Sequence, residues 1–296
     1  MDALLALGPF CKVPLNVTLR GVTNSKDSPS VDHIKAAAFP TLIRFILVDD
    51  GLEMKINRRG LKPNGGGEVI FKCPVRRNLR PLQALQPGMV KRVRGTVYAA
   101  KVSPALANRT VESAKGVLLG FLPDIYIHTD QNRGKQAGGS PGFGVNLIAE
   151  TTTGTFFSAE LVSNIVSEGL EPSVPEDLGR AAANKLLDEI YRGGCVDSTF
   201  QWLAALYMAL GQKDVSKILT GPLSEYTINF LQHLREFFAI TFKLENPQEV
   251  DKDDDDAEGD NSVQKENFNE DSLPGANKVL MTCVGIGYSN INKRTL

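Results

Sequence analysis

The 296-residue chain is 42% hydrophobic and 23% charged, with 33 Lys and Arg against 34 Asp and Glu, an ordinary globular composition without a global electrostatic bias towards nucleic acid. Its four cysteines, Cys11, Cys73, Cys195 and Cys283, are widely spaced, which argues against C-x-x-C zinc chemistry and a dense disulfide framework and fits reduced thiols of the cytosol or nucleus. No apolar run reaches the ~18 residues that cross a bilayer, so no membrane partner is expected.

The first seven residues read as the last turns of a helix stopped by Gly8 and Pro9. Asp2 stands where a secretory signal carries a base. A helix tail in this place suggests that further chain normally precedes it. Residues 13–20 alternate apolar and polar, the pattern of a half-buried strand. Turn residues fill 24–29, and Ser30 can cap a helix to about residue 46 with a kink at Pro40. Two strands, 52–57 and 68–73, flank a basic, glycine-rich connection. The unit is strand, helix, strand, strand.

A second unit follows. Residues 91–102 read as a strand rich in β-branched side chains, and Ser103 caps a helix through 119. A strand at 125–128, a polar glycine-rich loop at 131–141 and a hairpin of 144–151 with 155–161 complete it. Helices are expected at 176–191, 199–210 and 224–238, and strands at 240–244 and 279–286. Repeated strand–helix–strand units with antiparallel hairpins predict an α+β fold of packed two-layer modules. Residues 249–271 hold eleven acids against two bases; such a stretch buries too little surface to offset its ordering entropy and reads as a disordered acidic loop.

The bases are unevenly placed. Residues 55–94 contain eleven Lys or Arg (Lys55, Arg58, Arg59, Lys62, Lys72, Arg76, Arg77, Arg80, Lys91, Arg92 and Arg94) and one acid, Glu68. Guanidinium forks match phosphate oxygens, so the cluster has the footprint of a nucleic-acid binder. A solvated face, or a docking face for an acidic protein, fits the same charge count. Within the cluster, residues 58–68 include Gly60, Gly65, Gly66 and Gly67. Successive glycines can turn backbone N–H groups onto an anion; a wide hairpin is the alternative. The G-K-[ST] ending of a P-loop is missing.

Several segments together carry a family resemblance. Leu19-Arg20-Gly21-Val22-Thr23-Asn24 and the Gly65-Gly66-Gly67-Glu68 run resemble the RNA 3′-terminal phosphate cyclase superfamily. Lys91-Arg92-Val93-Arg94-Gly95, Ser140-Pro141-Gly142-Phe143-Gly144, Ala149-Glu150-Thr151-Thr152, Pro175-Glu176-Asp177-Leu178-Gly179 and Gly193-Gly194-Cys195-Val196-Asp197-Ser198 look like its cyclase-like branch. The resemblance covers nearly the whole chain outside the acidic loop. It implies repeated two-layer αβ modules of the cyclase fold with a smaller inserted αβ domain. The insert is placed at 91–175, between body segments 1–90 and 176–296, with a first N-terminal module missing.

The resemblance also implies a function. The branch is a eukaryotic ribosome-biogenesis factor of the nucleus and nucleolus, acting in small-subunit (18S) rRNA processing. It implies pre-rRNA, a large Bms-type assembly GTPase and the small-subunit processome as partners, with no cofactor and no metal. Cyclases carry a histidine nucleophile in a His-x-x-Asp-Gln motif. Here Thr199 stands at the histidine, and Trp202 and Leu203 replace Asp-Gln. A threonine hydroxyl has no nucleophilic nitrogen, so covalent adenylation is expected to be lost. His33, His128 and His233, the chain's three histidines, read as structural or surface residues.

The groove side of the family aligns with Arg20, Arg59, Lys62 and Gly65, Gly66 and Gly67. Arg58, Arg76, Arg77, Arg92 and Arg94 join them as RNA or phosphate candidates on charge. Two other readings stay open: an endonuclease that cuts pre-rRNA, for which the scattered acids supply no motif, and a residual ATP-dependent RNA 3′-phosphate cyclase.

Overall fold

A computed structural model describes residues 1–46, 51–132, 134, 137–165, 169–247 and 275–293. The acidic loop expected at 249–271 lies outside the described residues.

The chain opens with α1 (Asp2–Leu7) and β1 (Leu15–Gly21). The Ser30 hydroxyl then accepts from the His33 amide and starts α2 (Val31–His33). The helix widens into a π turn over Ile34–Ala38 before continuing as α3 (Phe39–Ile46). The Phe39 amide reaches back five residues to the Ile34 carbonyl. The irregularity expected at Pro40 thus falls in the turn just before it. The proline ring crowds the carbonyl four residues back, and a wider turn relieves that crowding.

β2 (Glu53–Arg58) and β3 (Gly67–Cys73) complete an antiparallel sheet in the order β1-β3-β2. On β3, Val69, Phe71 and Cys73 point into the core, while Glu68, Ile70 and Lys72 are half-exposed. That is the period-2 pattern of a sheet with one wet face.

The short β4 (Gln83–Ala84) follows. It had no sequence signal, because two residues between prolines are too few to show alternation. Next come β5 (Val90–Ala100), α4 (Pro104–Leu118), β6 (Ile125–Asn132), β7 (Gly142–Thr151) and β8 (Phe156–Val162). They form a sheet in the order β6-β5-β7-β8, with β6 parallel to β5. β6 runs further than the expected 125–128, into the segment read as loop.

α5 (Pro175–Arg192) packs on this sheet beside α4, although the expected boundary at 175 falls before it. Ala182, Ala183 and Leu186 of α5 share one buried cluster with Val93, Val97, Ala107, Ala114 and Leu147. The helices meet at Gly179, where a Cβ would stand 2.5 Å from the Thr110 carbonyl oxygen. Only glycine allows that approach.

A short 3-10 turn, Ser198–Phe200, leads into α6 (Gln201–Leu210), followed by β9 (Val215–Thr220), α7 (Glu225–Phe238), β10 (Lys243–Glu245) and β11 (Val279–Val284). The third sheet has the order β10-β11-β9-β4. The run β9-α7-β10-β11 repeats the plan of β1-α2/α3-β2-β3: first strand, helix, then a hairpin whose last strand lies in the middle.

α3 and α6 carry the main core between these two sheets. Leu42, Phe45, Phe71, Leu203, Tyr207, Met208, Leu219 and Met281 are buried together. Burying each large side chain contributes roughly 1.5–3 kcal/mol. α1 joins through Leu5, whose carbonyl accepts the buried Tyr207 hydroxyl. The four cysteines are free thiols, and burial pushes Cys73, Cys195 and Cys283 up to about 12.

Candidate RNA interface

The glycine-rich connection lies where three backbone segments cross. A Cβ on Gly60 would stand 2.3 Å from both the Gly21 carbonyl oxygen and the Gly67 nitrogen, and one on Gly138 would stand 2.4 Å from the Arg59 carbonyl oxygen. Side chains cannot occupy that space, so the crossing exists only with glycine. Its amides are used internally. Gly60 N–H donates to the Thr23 hydroxyl (2.9 Å), Gly65 N–H to the Leu61 carbonyl (2.9 Å) and Gly139 N–H to the Gly65 carbonyl (2.7 Å). Gly67 pairs with Gly21 in the β1–β3 ladder. The sequence left an anion cradle and a wide hairpin both open, and the bonds seen here are those of packed backbone. The glycines bring backbone against backbone, and hydrogen bonds within the crossing take up the amides of Gly60 and Gly65.

Arg59 departs from expectation. Its side chain is only 10% exposed. Nε and Nη2 donate to the two oxygens of Asp32 at 2.8 and 2.7 Å, and Nη1 donates to Asp130. The guanidinium also lies 5.1 Å from the centre of the buried Tyr98 ring. Burial opposes its charge, but the two carboxylates outweigh burial and hold its pKa above the ordinary value. Burial likewise works against ionised Asp32, and the Arg59 bonds outweigh it and hold the carboxyl low. Arg59 is therefore a clamp between α2, β2 and β6 rather than an open phosphate ligand.

The other candidates lie nearer solvent, and carboxylates from elsewhere in the chain meet many of them. Arg20 is 76% exposed and donates to Glu68 at 2.9 Å. Lys62 pairs with Asp27. Arg92 and Lys91 share Glu150, at 2.6 and 2.7 Å. Arg94 holds Asp124 through two bonds of 2.8 and 3.1 Å. Arg58 ends β2 and is half-buried. Arg76 is half-buried with Nε on the Ile46 carbonyl at 3.3 Å, whereas Arg77 is exposed. The structure does not gather the set into one pocket. Arg20 and Arg58 lie on the first sheet, Arg92 and Arg94 on the second.

Sequence reasoning missed the carboxylate partners. Asp32, Asp124, Asp130 and Glu150 are 27 to 71 residues from the bases they meet, so no local charge count finds them. It also missed the outer side of β5 and β6. There Tyr126 and His128 are exposed, with rings stacked at 6.5 Å and 24°, and the Thr96 hydroxyl sits 3.2 Å from His128 Nε2. The Ile-Tyr-Ile-His alternation of β6 could have pointed to them.

The region of Thr199 is held by a buried hydrogen-bond network. Its amide donates to Asp197 Oδ1 at 2.9 Å, and Asp197 Oδ2 accepts the Ser158 amide on the open edge of β8 at 2.8 Å. His33 Nε2 lies 3.6 Å from Asp197 Oδ1, an ion-pair distance rather than a hydrogen bond. Glu189 accepts both the amide and the hydroxyl of Ser198 at 2.7 and 2.8 Å.

Burial pulls the His33 pKa down, but Asp197 outweighs it and the net shift is up. Burial would raise Asp197, but His33 and the two amides bring it below its ordinary value. Glu189 is pushed up to about 7 by burial and by the neighbouring Asp197 charge. His33 is thus buried against Asp197. Trp202 is buried and packs edge-on against Phe230 at 5.5 Å and Tyr226 at 6.1 Å, while Leu203 is fully buried. Trp202 and Leu203, which the resemblance sets against Asp-Gln, are thus apolar core.

The family described as RNA 3′-terminal phosphate cyclase matches residues 1–244. A Drosophila melanogaster relative, "Probable RNA 3′-terminal phosphate cyclase-like protein", is 65% identical over 297 residues, covering 100% of this chain and 73% of its own length. The Homo sapiens "RNA 3′-terminal phosphate cyclase-like protein" is 53% identical over 293 residues, covering 99% and 73%. The Schizosaccharomyces pombe "rRNA processing protein rcl1" is 36% identical over 297 residues, again covering 99% and 73%. The architecture of several sheets and helices is consistent with the cyclase-like fold. The chain belongs to the RNA 3′-terminal phosphate cyclase family, alongside relatives that bear the cyclase-like name.

Proposed function

We propose that the chain acts in ribosome biogenesis as a non-cyclase factor of small-subunit (18S) rRNA processing. It binds RNA and docks proteins in the early pre-ribosome, in the nucleus and nucleolus. Its proposed partners are pre-rRNA, a large Bms-type assembly GTPase and the small-subunit processome. The fission yeast relative, named an rRNA processing protein, supports the pathway. The observation that carries the non-cyclase part is Thr199, whose neighbours Trp202 and Leu203 are packed into the core. A covalent nucleotide route needs a nucleophile with an activating base; an aromatic core contact supplies neither.

RNA contact in this reading falls to the exposed bases. An exposed ion pair such as Arg20 with Glu68 can exchange its carboxylate for a phosphate at little cost. Arg77 is exposed as well. Arg59 cannot make that exchange without leaving Asp32 buried with no counter-charge and only the Asn24 amide as partner.

The test is a binding titration of wild type and Arg20→Ala/Arg77→Ala against a small-subunit pre-rRNA fragment at several salt concentrations. Product gels and α-labelled ATP are run on the same samples. The expected result is salt-dependent binding to intact RNA, no labelled protein, and a smaller salt slope in the variant, by about 0.7–0.9 for each phosphate that the arginines no longer neutralise. Cleaved RNA would replace this reading with an endonuclease, and a stable nucleotide–protein adduct would restore a cyclase.

A further inference from the structure

The two faces of the second sheet are covered differently. α4 and α5 cover the side formed by Val93, Val97 and Leu147. The opposite side is divided. Over β7 and β8 it is closed: Asn146 and Ser158 are buried and bonded to each other at 3.0 Å, and the Ser30 amide docks on Glu160 at 2.8 Å. Over the first part of β5 and β6 it is open, as far as the buried Tyr98. The ladder sets Arg94 beside Tyr126, Thr96 beside His128 and Tyr98 beside Asp130. β6 is an edge strand.

Tyr126 is 61% exposed, an unusual cost for a large ring when the same strand buries Ile127. Its ring runs nearly parallel to that of His128, and the Thr96 hydroxyl beside His128 Nε2 steadies the imidazole. Beside these flat surfaces lie three cations, Lys91, Arg92 and Arg94, against two carboxylates, Glu150 and Asp124. The row ends at the wall formed by Arg59 and Asp130. Flat π surfaces on an open sheet, flanked by guanidinium groups, suit splayed bases with their phosphates at the side. A duplex hides its base faces, and so does not suit them.

We propose that the open β5–β6 face binds single-stranded RNA by stacking unpaired bases on Tyr126 and His128, with Arg92 and Arg94 taking the adjoining phosphates. This rests on the RNA-binding reading above and specifies its substrate as single-stranded. Stacking needs the ring and not the phenol hydroxyl. It involves no phosphate, so removing it leaves the salt slope alone.

The experiment uses the full chain and a fluorescein-labelled ten-nucleotide oligouridylate, with an RNA duplex of equal length as the contrast. Tyr126→Ala is expected to weaken single-strand binding about tenfold, and Tyr126→Ala/His128→Ala further, with the salt slope unchanged. Tyr126→Phe is expected to bind like wild type, and it guards against an effect of misfolding. Arg92→Ala/Arg94→Ala is expected to reduce the slope.

Equal single-strand affinity of wild type and Tyr126→Ala overturns the stacking face. If the arginine variant or Arg20→Ala/Arg77→Ala still weakens binding, the RNA reading survives that outcome. Preference for the duplex also overturns the stacking face. No RNA binding by wild type overturns both.

Discussion

The glycine crossing and the β5–β6 face both draw their bases from the stretch with the densest positive charge, residues 55–94, and they use that charge in opposite ways. At the crossing, Arg59 is buried, with Nε, Nη1 and Nη2 on the carboxylates of Asp32 and Asp130. On the β5–β6 face, Arg92 and Arg94 are partly exposed, and their carboxylate partners face solvent or share a second base. The first arrangement locks three segments together, and the second can rearrange around a ligand. The number of bases in a stretch of sequence therefore measures neither; pairing and burial decide what each base does.

The largest expected effect breaks the crossing. Arg59→Ala leaves the buried Asp32 with only the Asn24 amide, while the part-exposed Asp130 can turn to water, and removing one partner of a buried ion pair costs about 3–5 kcal/mol. The urea midpoint should fall sharply. Arg59→Lys should recover only part of the stability, because an ammonium cannot make the two parallel bonds to Asp32. A midpoint unchanged in Arg59→Ala would mean that the clamp does not hold the segments together.

A middle-sized effect concerns pH at the cluster beneath Thr199. Glu189 is raised from 4.5 to about 7. A raised group contributes stability that is fully present below its unfolded value and is lost as pH rises through the folded value. Stability should therefore decline from about pH 4.5 to about pH 7 through this group. His33, also raised, adds a loss above its ordinary 6.5, while Asp197, lowered, acts only on the acid side of 3.8. Glu160 and Lys185 also act on His33, and Arg192 acts on Glu189. Glu189→Gln cannot titrate, and the Ser198 hydroxyl can turn to accept from its amide. The variant's midpoint should be flatter between pH 5 and pH 7; an equally steep decline would assign the slope to other groups.

Much of the fold was legible in the sequence. Ser30 and Ser103 announced two helix starts through their hydroxyls, and the alternation over 13–20 matched the one-sided burial of β1. β4 was not legible, because it exists only through its pairing with β9. At the site, Thr199 at the position where the resemblance sets the nucleophile was legible because it is a matter of residue identity. The role of Arg59 was not, because Asp32 and Asp130 come from distant segments. The glycines of 60–67 could be read as a special backbone, but only the crossing distances to Gly21 and Gly139 separate packing from anion binding.

The smallest expected effect is the sharpest control on the comparison. Arg20 belongs to the same set of groove-side candidates as Arg59 and also meets a carboxylate, yet its side chain is 76% exposed and its Glu68 partner is held by the half-exposed β3. Water already solvates both groups, and the Glu68 carboxyl keeps its bond from Asn57 at 3.1 Å when the arginine is removed. Arg20→Ala should leave the urea midpoint where wild type has it, while high salt should shift neither protein much through this pair. If Arg20→Ala destabilised the chain as strongly as Arg59→Ala, burial would not be what separates clamp from open surface. If only RNA affinity fell, Arg20 would belong with the bases that can exchange a carboxylate for a phosphate.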